Sequence, residues 1–141
     1  MTKLRVTNES AVVAALKAKA VKLDSASKAG VMAVAFAVQK QAKINAFTGK
    51  HAPGERHIPG TGPGPNVATG LLRRSISVRQ RKGFESYVAS VGPTVVYARA
   101  VELGHPRWKS RVRYPYLRPA ATLVRKKAKS IFLATFKEKM R

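Results

Sequence analysis

The sequence lacks several features that would each point to a familiar class of protein. It contains no cysteine, which excludes disulfides and thiolate metal sites. It has no apolar run near the ~18–20 residues that cross a bilayer, and its amino terminus lacks the basic-then-apolar pattern of a signal peptide. We therefore expect a protein that is made and used in solution, without a membrane partner.

Acidic residues are also scarce. Six Asp and Glu stand against 28 Lys and Arg, which gives a formal net charge of +22. Such an excess causes self-repulsion in the compact state and attracts polyanions, so we expect a negatively charged partner. The charge alone does not separate a nucleic acid from an acidic protein surface.

The usual signatures of catalysis are missing as well. The Gly/Pro-rich stretch lacks the Gly-Lys-Ser/Thr ending of a phosphate-binding loop, the acids are scattered singly, and no serine has a nucleophile-elbow context. We interpret His51 and His57, which have only Glu55 nearby, as solvent-facing loop residues and not as metal ligands. The sequence predicts no enzymatic activity, no metal and no cofactor.

What the sequence does contain indicates one α+β domain of 141 residues. We predict a small antiparallel β-sheet, formed by a central hairpin, packed with amino-terminal helices and a carboxy-terminal helix. The predicted segments are a helical part (8–47), a Gly/Pro-rich loop (48–68), a β-hairpin with a short helix (69–104), a basic loop (105–116) and a closing helix (119–140).

The helical part has two apolar stripes at spacings of three and four residues. The first consists of Val12, Val13, Leu16, Ala20 and Leu23, and the second of Val31, Val34, Ala35, Val38 and Ala42. Asp24-Ser25 between them could cap a second helix, so two helices and one long helix kinked near Asp24 both remain open. The many small residues of the second stripe suit close packing against another helix or a neighbouring subunit.

Period-two alternation after residue 74 predicts the hairpin. It runs from about Arg74 to Val91, turns at Lys82-Gly83, and is closed by Gly92-Pro93. Val95 to Leu103 then predicts a short helix ending at Gly104, with an extended run over Val95-Val96-Tyr97 as the competing interpretation.

Pro119 suits the first turn of the closing helix. Its predicted apolar stripe is Ala120, Leu123 or Val124, Ala128, Ile131, Phe132, Thr135 and Phe136.

Two interpretations stay open for the long loop 48–68: a segment that reaches a neighbouring subunit, or a tolerated insertion.

Basic residues mixed with aromatic ones form the candidate binding surface. The candidates are Arg73, Arg74, Arg79, Arg81, Lys82, Arg107, Trp108, Lys109, Arg111 and Arg113. No base-reading motif accompanies them, so we expect a nonspecific, salt-sensitive contact with a DNA backbone. The alternative is that the aromatic residues Trp108 and Tyr114 pack at a subunit contact.

Three short motifs in a fixed order resemble a tail-component family of long-tailed bacteriophages, which comprises head–tail connector, neck and tail-completion proteins. The first motif matches at Thr69, Gly70, Leu72, Ser75 and Ile76, the second at Tyr97, Ala98, Val101, Glu102 and Gly104, and the third at Pro115, Leu117, Arg118, Pro119 and Ala120. Two positions depart from the family pattern: His105 replaces the usual threonine, and Tyr116 the usual phenylalanine.

The resemblance implies a structural virion protein that forms a ring, a hexamer in the family, at the head–tail junction. Its implied partners are connector or stopper proteins and tail-terminator or tail-tube proteins, with DNA passing through the lumen. A tail terminator that caps the tail tube and a stand-alone nucleic-acid-binding protein are the alternatives. The implied location is the virion, reached from the host cytoplasm.

We also expect Glu102, one of the few acids, to pair with an arginine within or between subunits.

Overall fold

The computed structural model describes residues 8–47, 65, 69–83, 86–104 and 113–141. Its elements are α1 (Glu9–Asn45), α2 (Leu71–Ser75), β1 (Ile76–Lys82), β2 (Tyr87–Pro93), α3 (Ala98–Leu103), α4 (Leu117–Arg125) and α5 (Ala128–Met140). This mostly helical arrangement with a two-stranded antiparallel sheet confirms the predicted α+β class. The loop predicted at 48–68, apart from Pro65, and residues 105–112 of the basic loop lie outside the described residues.

The helical part forms one continuous helix, α1, which decides between the two readings of residues 8–47. Asp24-Ser25 does not start a second helix. The Ser25 hydroxyl instead donates to the Lys22 carbonyl at 2.8 Å, and the Ser27 hydroxyl donates to the Leu23 carbonyl at 2.8 Å. These local bonds satisfy the hydroxyls inside the helix, so a potential capping residue is accommodated without a break.

The two halves of α1 have opposite environments. Every residue from Asn8 to Ser25, which we call the exposed half, is exposed. Burial begins at Ala26, and the packed half (26–45) buries Ala26, Gly30, Ala35 and Ala42 against α4, α5 and the hairpin. The exposed half corresponds to about 25 Å of helix, at ~1.5 Å per residue.

The base of the hairpin is shifted by two residues from its predicted place, since the strands run from Ile76 to Pro93 and not from Arg74 to Val91. Residues Gly92 and Pro93, expected to close it, belong to β2 and pair with Ser77 and Ile76. Residues Arg74 and Ser75, expected at its start, belong to α2. The Ser75 carbonyl accepts a hydrogen bond from the Thr94 amide at 3.2 Å, which holds the two ends of the hairpin together.

The predicted short helix after the hairpin is present but begins later than expected. Residues 95–97 form a turn, and α3 starts at Ala98, so neither the helix over the whole of Val95–Leu103 nor the extended alternative describes them. The helix ends at Gly104 as predicted. Gly104 has φ = 83°, a backbone conformation that favours glycine, and its amide donates to the Ala100 carbonyl at 2.8 Å.

The prediction of a single closing helix over 119–140 is wrong. Helix α4 starts at Leu117, two residues before Pro119, and the chain leaves the helical path at Lys126–Lys127 before α5. The Lys127 amide donates to the Val124 carbonyl at 2.9 Å, which is a tight i to i−3 turn. No glycine or proline marks this turn. Since α4 and α5 both pack along α1, we attribute the break to tertiary packing.

Candidate functional site

The three motifs that carry the family resemblance meet in one hydrophobic core. Its buried members are Leu72, Ile76, Ala98, Tyr116 and Ala120, together with Ala42 and Ala46 at the end of α1. Ile76 and Tyr116 are its largest fully buried side chains, each worth about 2–3 kcal/mol in transfer free energy. We call this core, together with the side chain of Glu102, the joint.

Glu102 connects the second motif to the third. Its Oε2 accepts hydrogen bonds from the backbone amides of Tyr116 at 2.8 Å and Leu117 at 3.0 Å, and its Oε1 accepts one from the Arg118 amide at 2.9 Å. These are the amides at the start of α4, which have no partner inside the helix. The next residue, Pro119, has no amide hydrogen. The carboxylate therefore satisfies the free donors of this helix start.

The expected pairing of Glu102 with an arginine, within or between subunits, stays a prediction. In the described part of the chain its carboxylate contacts backbone amides at the positive end of the α4 dipole. Bonds between a carboxylate and backbone amides are short and strong relative to neutral pairs. The sequence signal for this capping role is an acidic residue, Glu102, in the segment that precedes the Leu117-Arg118-Pro119 helix start.

Polar side chains of α1 hold the same joint from the other side. The Asn45 side-chain amide donates to the Tyr116 carbonyl at 3.0 Å, and the Gln39 side-chain amide donates to the Ile76 carbonyl at 2.8 Å. The Tyr114 amide donates to the Val101 carbonyl at 2.9 Å, which ties the segment before α4 to α3. No sequence pattern indicates these roles of Asn45 and Gln39, because both partners are backbone atoms distant in the chain.

Tyr116, the departure from the family phenylalanine, is completely buried. Its ring fills the centre of the joint, and its hydroxyl has no hydrogen-bond partner among the described residues. Burial, and secondly the nearby charge of Glu102, raise the pKa of this hydroxyl far above its ordinary value. The hydroxyl therefore stays neutral and adds a desolvation cost to an otherwise apolar core.

The remaining motif residues have local structural roles. Thr69 Oγ1 accepts from the Leu71 amide at 3.3 Å, next to Gly70, which has φ = 68° at the start of α2. The Ser75 hydroxyl donates to the Leu72 carbonyl at 2.7 Å, and Tyr97 precedes α3. Pro115 lies half-buried just before α4. These contacts show that the motif residues stabilise the fold. Residues that bind a partner are therefore sought elsewhere in the chain.

The candidate basic residues are divided among separate surfaces. Arg73 and Arg74 are exposed on α2, and Arg79 and Arg81 are exposed on the outer face of β1. Lys82 is the last residue of β1, and Arg113 is exposed before α4. Arg107, Trp108, Lys109 and Arg111 lie outside the described residues. The described candidates therefore do not form one cluster.

Arg73 and Arg74 of α2 line a cleft that the sequence does not predict. Together with Lys43 and Phe47 from the end of α1, they border a cavity of about 380 Å³. A separate apolar groove of about 590 Å³ runs between α1, β2 and the closing helices; its lining includes Val31, Val38, Val91 and Phe132. The cleft and the groove bring together residues far apart in sequence, which no local pattern reveals.

The described residues lack two further features. No group of three His, Asp or Glu side chains among them is placed to hold a metal ion. None of the helices built from them is both long and apolar enough to span a membrane.

Comparisons with family models, with curated proteins and with solved structures find no match to this chain.

Proposed function

We propose that this protein is a non-enzymatic structural subunit of a ring at the head–tail junction of a long-tailed bacteriophage. The observation that carries the proposal is the joint: all three motifs of the resemblance contribute to one core, and Glu102 bonds the second to the third. Because the three motifs pack into one core, they specify the fold together. This packing supports the resemblance more strongly than the order of the motifs in the sequence does.

The exposed half of α1 supports assembly. Val12, Leu16 and Leu23 of the first apolar stripe are 49%, 61% and 49% exposed, so the isolated chain leaves these aliphatic side chains in water. Aligned exposed apolar residues are typical of interaction surfaces. The apolar groove between α1, β2 and the closing helices offers a complementary surface on the same chain.

In this proposal the exposed half of one copy packs into the apolar groove of the next copy. The two surfaces are different parts of the chain, so the contact is head-to-tail, and such contacts close into rings when the rotation allows. The ring would sit between connector or stopper proteins and the tail-terminator or tail-tube proteins. Part of its basic side chains would face the passing DNA, since a charge of +22 per subunit suits a channel for a polyanion.

The test is to locate the protein in virions and to image the purified protein at increasing concentration. We expect rings in solution or labelled protein at the neck of the particle. A chain that stays monomeric and is absent from virions overturns the proposal. Label at the end of a tail tube detached from the head would favour the tail-terminator alternative.

A further inference from the structure

The cleft between the end of α1 and α2 concentrates positive charge around a cavity. Its lining residues are Lys43, Phe47, Thr69, Gly70, Arg73 and Arg74. Three of these carry a positive charge and none carries a negative one. A concave site lined by one sign of charge focuses the electrostatic potential and raises the local concentration of anions.

Both arginines of the cleft are held by neutral partners. The Arg73 guanidinium lies over the Phe47 ring, 5.2 Å from its centroid. The Arg74 guanidinium donates to the Thr69 carbonyl at 3.2 Å. A ring face attracts a cation without occupying its N–H donors, which all lie in the guanidinium plane. The arginines are thus oriented, and no carboxylate among the described residues lines the cleft to compensate their charge.

We propose that this cleft binds a phosphodiester group of a nucleic-acid strand. The planar fork of Arg73 presents paired donors that match two phosphate oxygens, and Lys43 supplies a point charge from the opposite wall. Phe47 acts as a positioning residue for Arg73. The contact reads no base, which agrees with the absence of a base-reading motif in the sequence.

A nucleic acid is favoured over an acidic protein by the charge of the whole chain. An excess of +22 matches a polymer with one charge per phosphate better than the mixed charges of a protein surface. The inference does not depend on the proposed ring, because every lining residue belongs to one chain. If the ring is correct, the cleft identifies Arg73 and Arg74 as arginines that contact the DNA.

The experiment measures binding of a fluorescein-labelled oligothymidylate to the full chain at several salt concentrations around ~100 mM. We expect Arg73→Gln/Arg74→Gln to weaken binding about tenfold or more and to reduce the slope of log K against log salt by about 1.4, at about 0.7 for each charge on a single strand. Lys137→Gln/Lys139→Gln, on the exposed end of α5, removes the same charge and should change affinity less than about threefold. Equal losses in the two double variants overturn the site.

Two further variants guard against a folding artefact. Lys43→Gln leaves α2 untouched and should reduce the salt slope by about 0.7. Phe47→Leu removes no charge, so it should weaken binding without changing the slope; an unchanged affinity would contradict the positioning role. Polyglutamate that competes as well as unlabelled oligothymidylate would show a general polyanion site and overturn the assignment to phosphate.

Discussion

The exposed and packed halves of α1 use apolar residues in opposite ways. The packed half buries small residues, Ala26, Gly30, Ala35 and Ala42, whereas the exposed half leaves the larger Leu16 and Leu23 in water. A monomeric protein rarely leaves a large contiguous patch of apolar side chains exposed to water. The contribution of α1 to the core is thus built from small residues that allow close backbone approach, and the bulky stripe remains available for another surface.

The packed half gains its stability from that close approach. At Gly30 an added Cβ would lie 2.6 Å from two ring carbons of Phe132, so the helix and the ring are in direct contact there. Phe132 also stacks on Phe136, with ring centroids 5.7 Å apart. The boundary between the halves is marked by the Tyr87 hydroxyl, which donates to Asp24 Oδ2 at 2.6 Å. Substitutions on the two sides of this boundary should therefore have different consequences.

The largest effect is expected in the joint, at the end of the packed half. Glu102→Gln replaces a carboxylate that accepts three amides with a group that has one acceptor oxygen and a donor facing other donors. We expect a loss of about 2–3 kcal/mol in the free energy of unfolding, because amides at the start of α4 lose a charged partner.

Thermal and urea unfolding measure this loss. The matched control is Glu138→Gln, an exposed acid on α5, which should change stability by less than about 0.5 kcal/mol. We also expect Glu102→Gln to weaken assembly more than Glu138→Gln, because it loosens the fold that presents the subunit surfaces. Equal behaviour of the two variants in both measurements would contradict the capping role.

The next largest effect is expected at Gly30. Gly30→Ala would normally stabilise a helix interior by up to ~1 kcal/mol. Here the new methyl group overlaps the Phe132 ring, so we expect a net destabilisation of about 1–2 kcal/mol. Denaturant unfolding checks the sign, and Phe132→Leu in the same chain should recover part of the loss. A Gly30→Ala variant more stable than the wild type would show that the packed half tolerates a looser contact.

The fold was predictable where a signal is local, and less so where it depends on distant partners. Alternation identified the hairpin, and Gly104 marked the end of α3. The break at Lys126–Lys127 was missed because packing on α1, and not a local residue, produces it. The contact of Glu102 with the amides at the start of α4 was missed because those amides belong to a segment whose position the sequence does not reveal.

A smaller effect is expected from the buried hydroxyl of the joint. Tyr116→Phe removes a polar atom that lacks a partner among the described residues, so we expect a gain of about 1 kcal/mol at neutral pH. This substitution also tests the pKa, which burial raises in the folded state. Below pH ~10 the residue is neutral in both states, whereas above it the unfolded chain ionises first and stability falls.

The pH dependence gives this prediction its sharpest measurement. Tyr116 should cost the wild type about 1.4 kcal/mol for each pH unit above ~10. Tyr116→Phe should remove that contribution. A variant with the same alkaline unfolding profile as the wild type would contradict the raised pKa.

The smallest effect on stability is expected in the exposed half, where the consequence for assembly is largest. Leu16→Gln and Leu23→Gln change side chains that are 61% and 49% exposed, and glutamine is a good helix former, so unfolding should shift by less than about 0.5 kcal/mol. Val21→Gln is the control, because Val21 is 71% exposed and lies on the opposite side of the helix from the stripe. If the stripe is a subunit contact, sedimentation should show reduced association for the stripe variants only. Reduced association for Val21→Gln to the same degree would mean that hydrophobicity alone drives it, and the two halves of α1 would then differ in exposure but not in role.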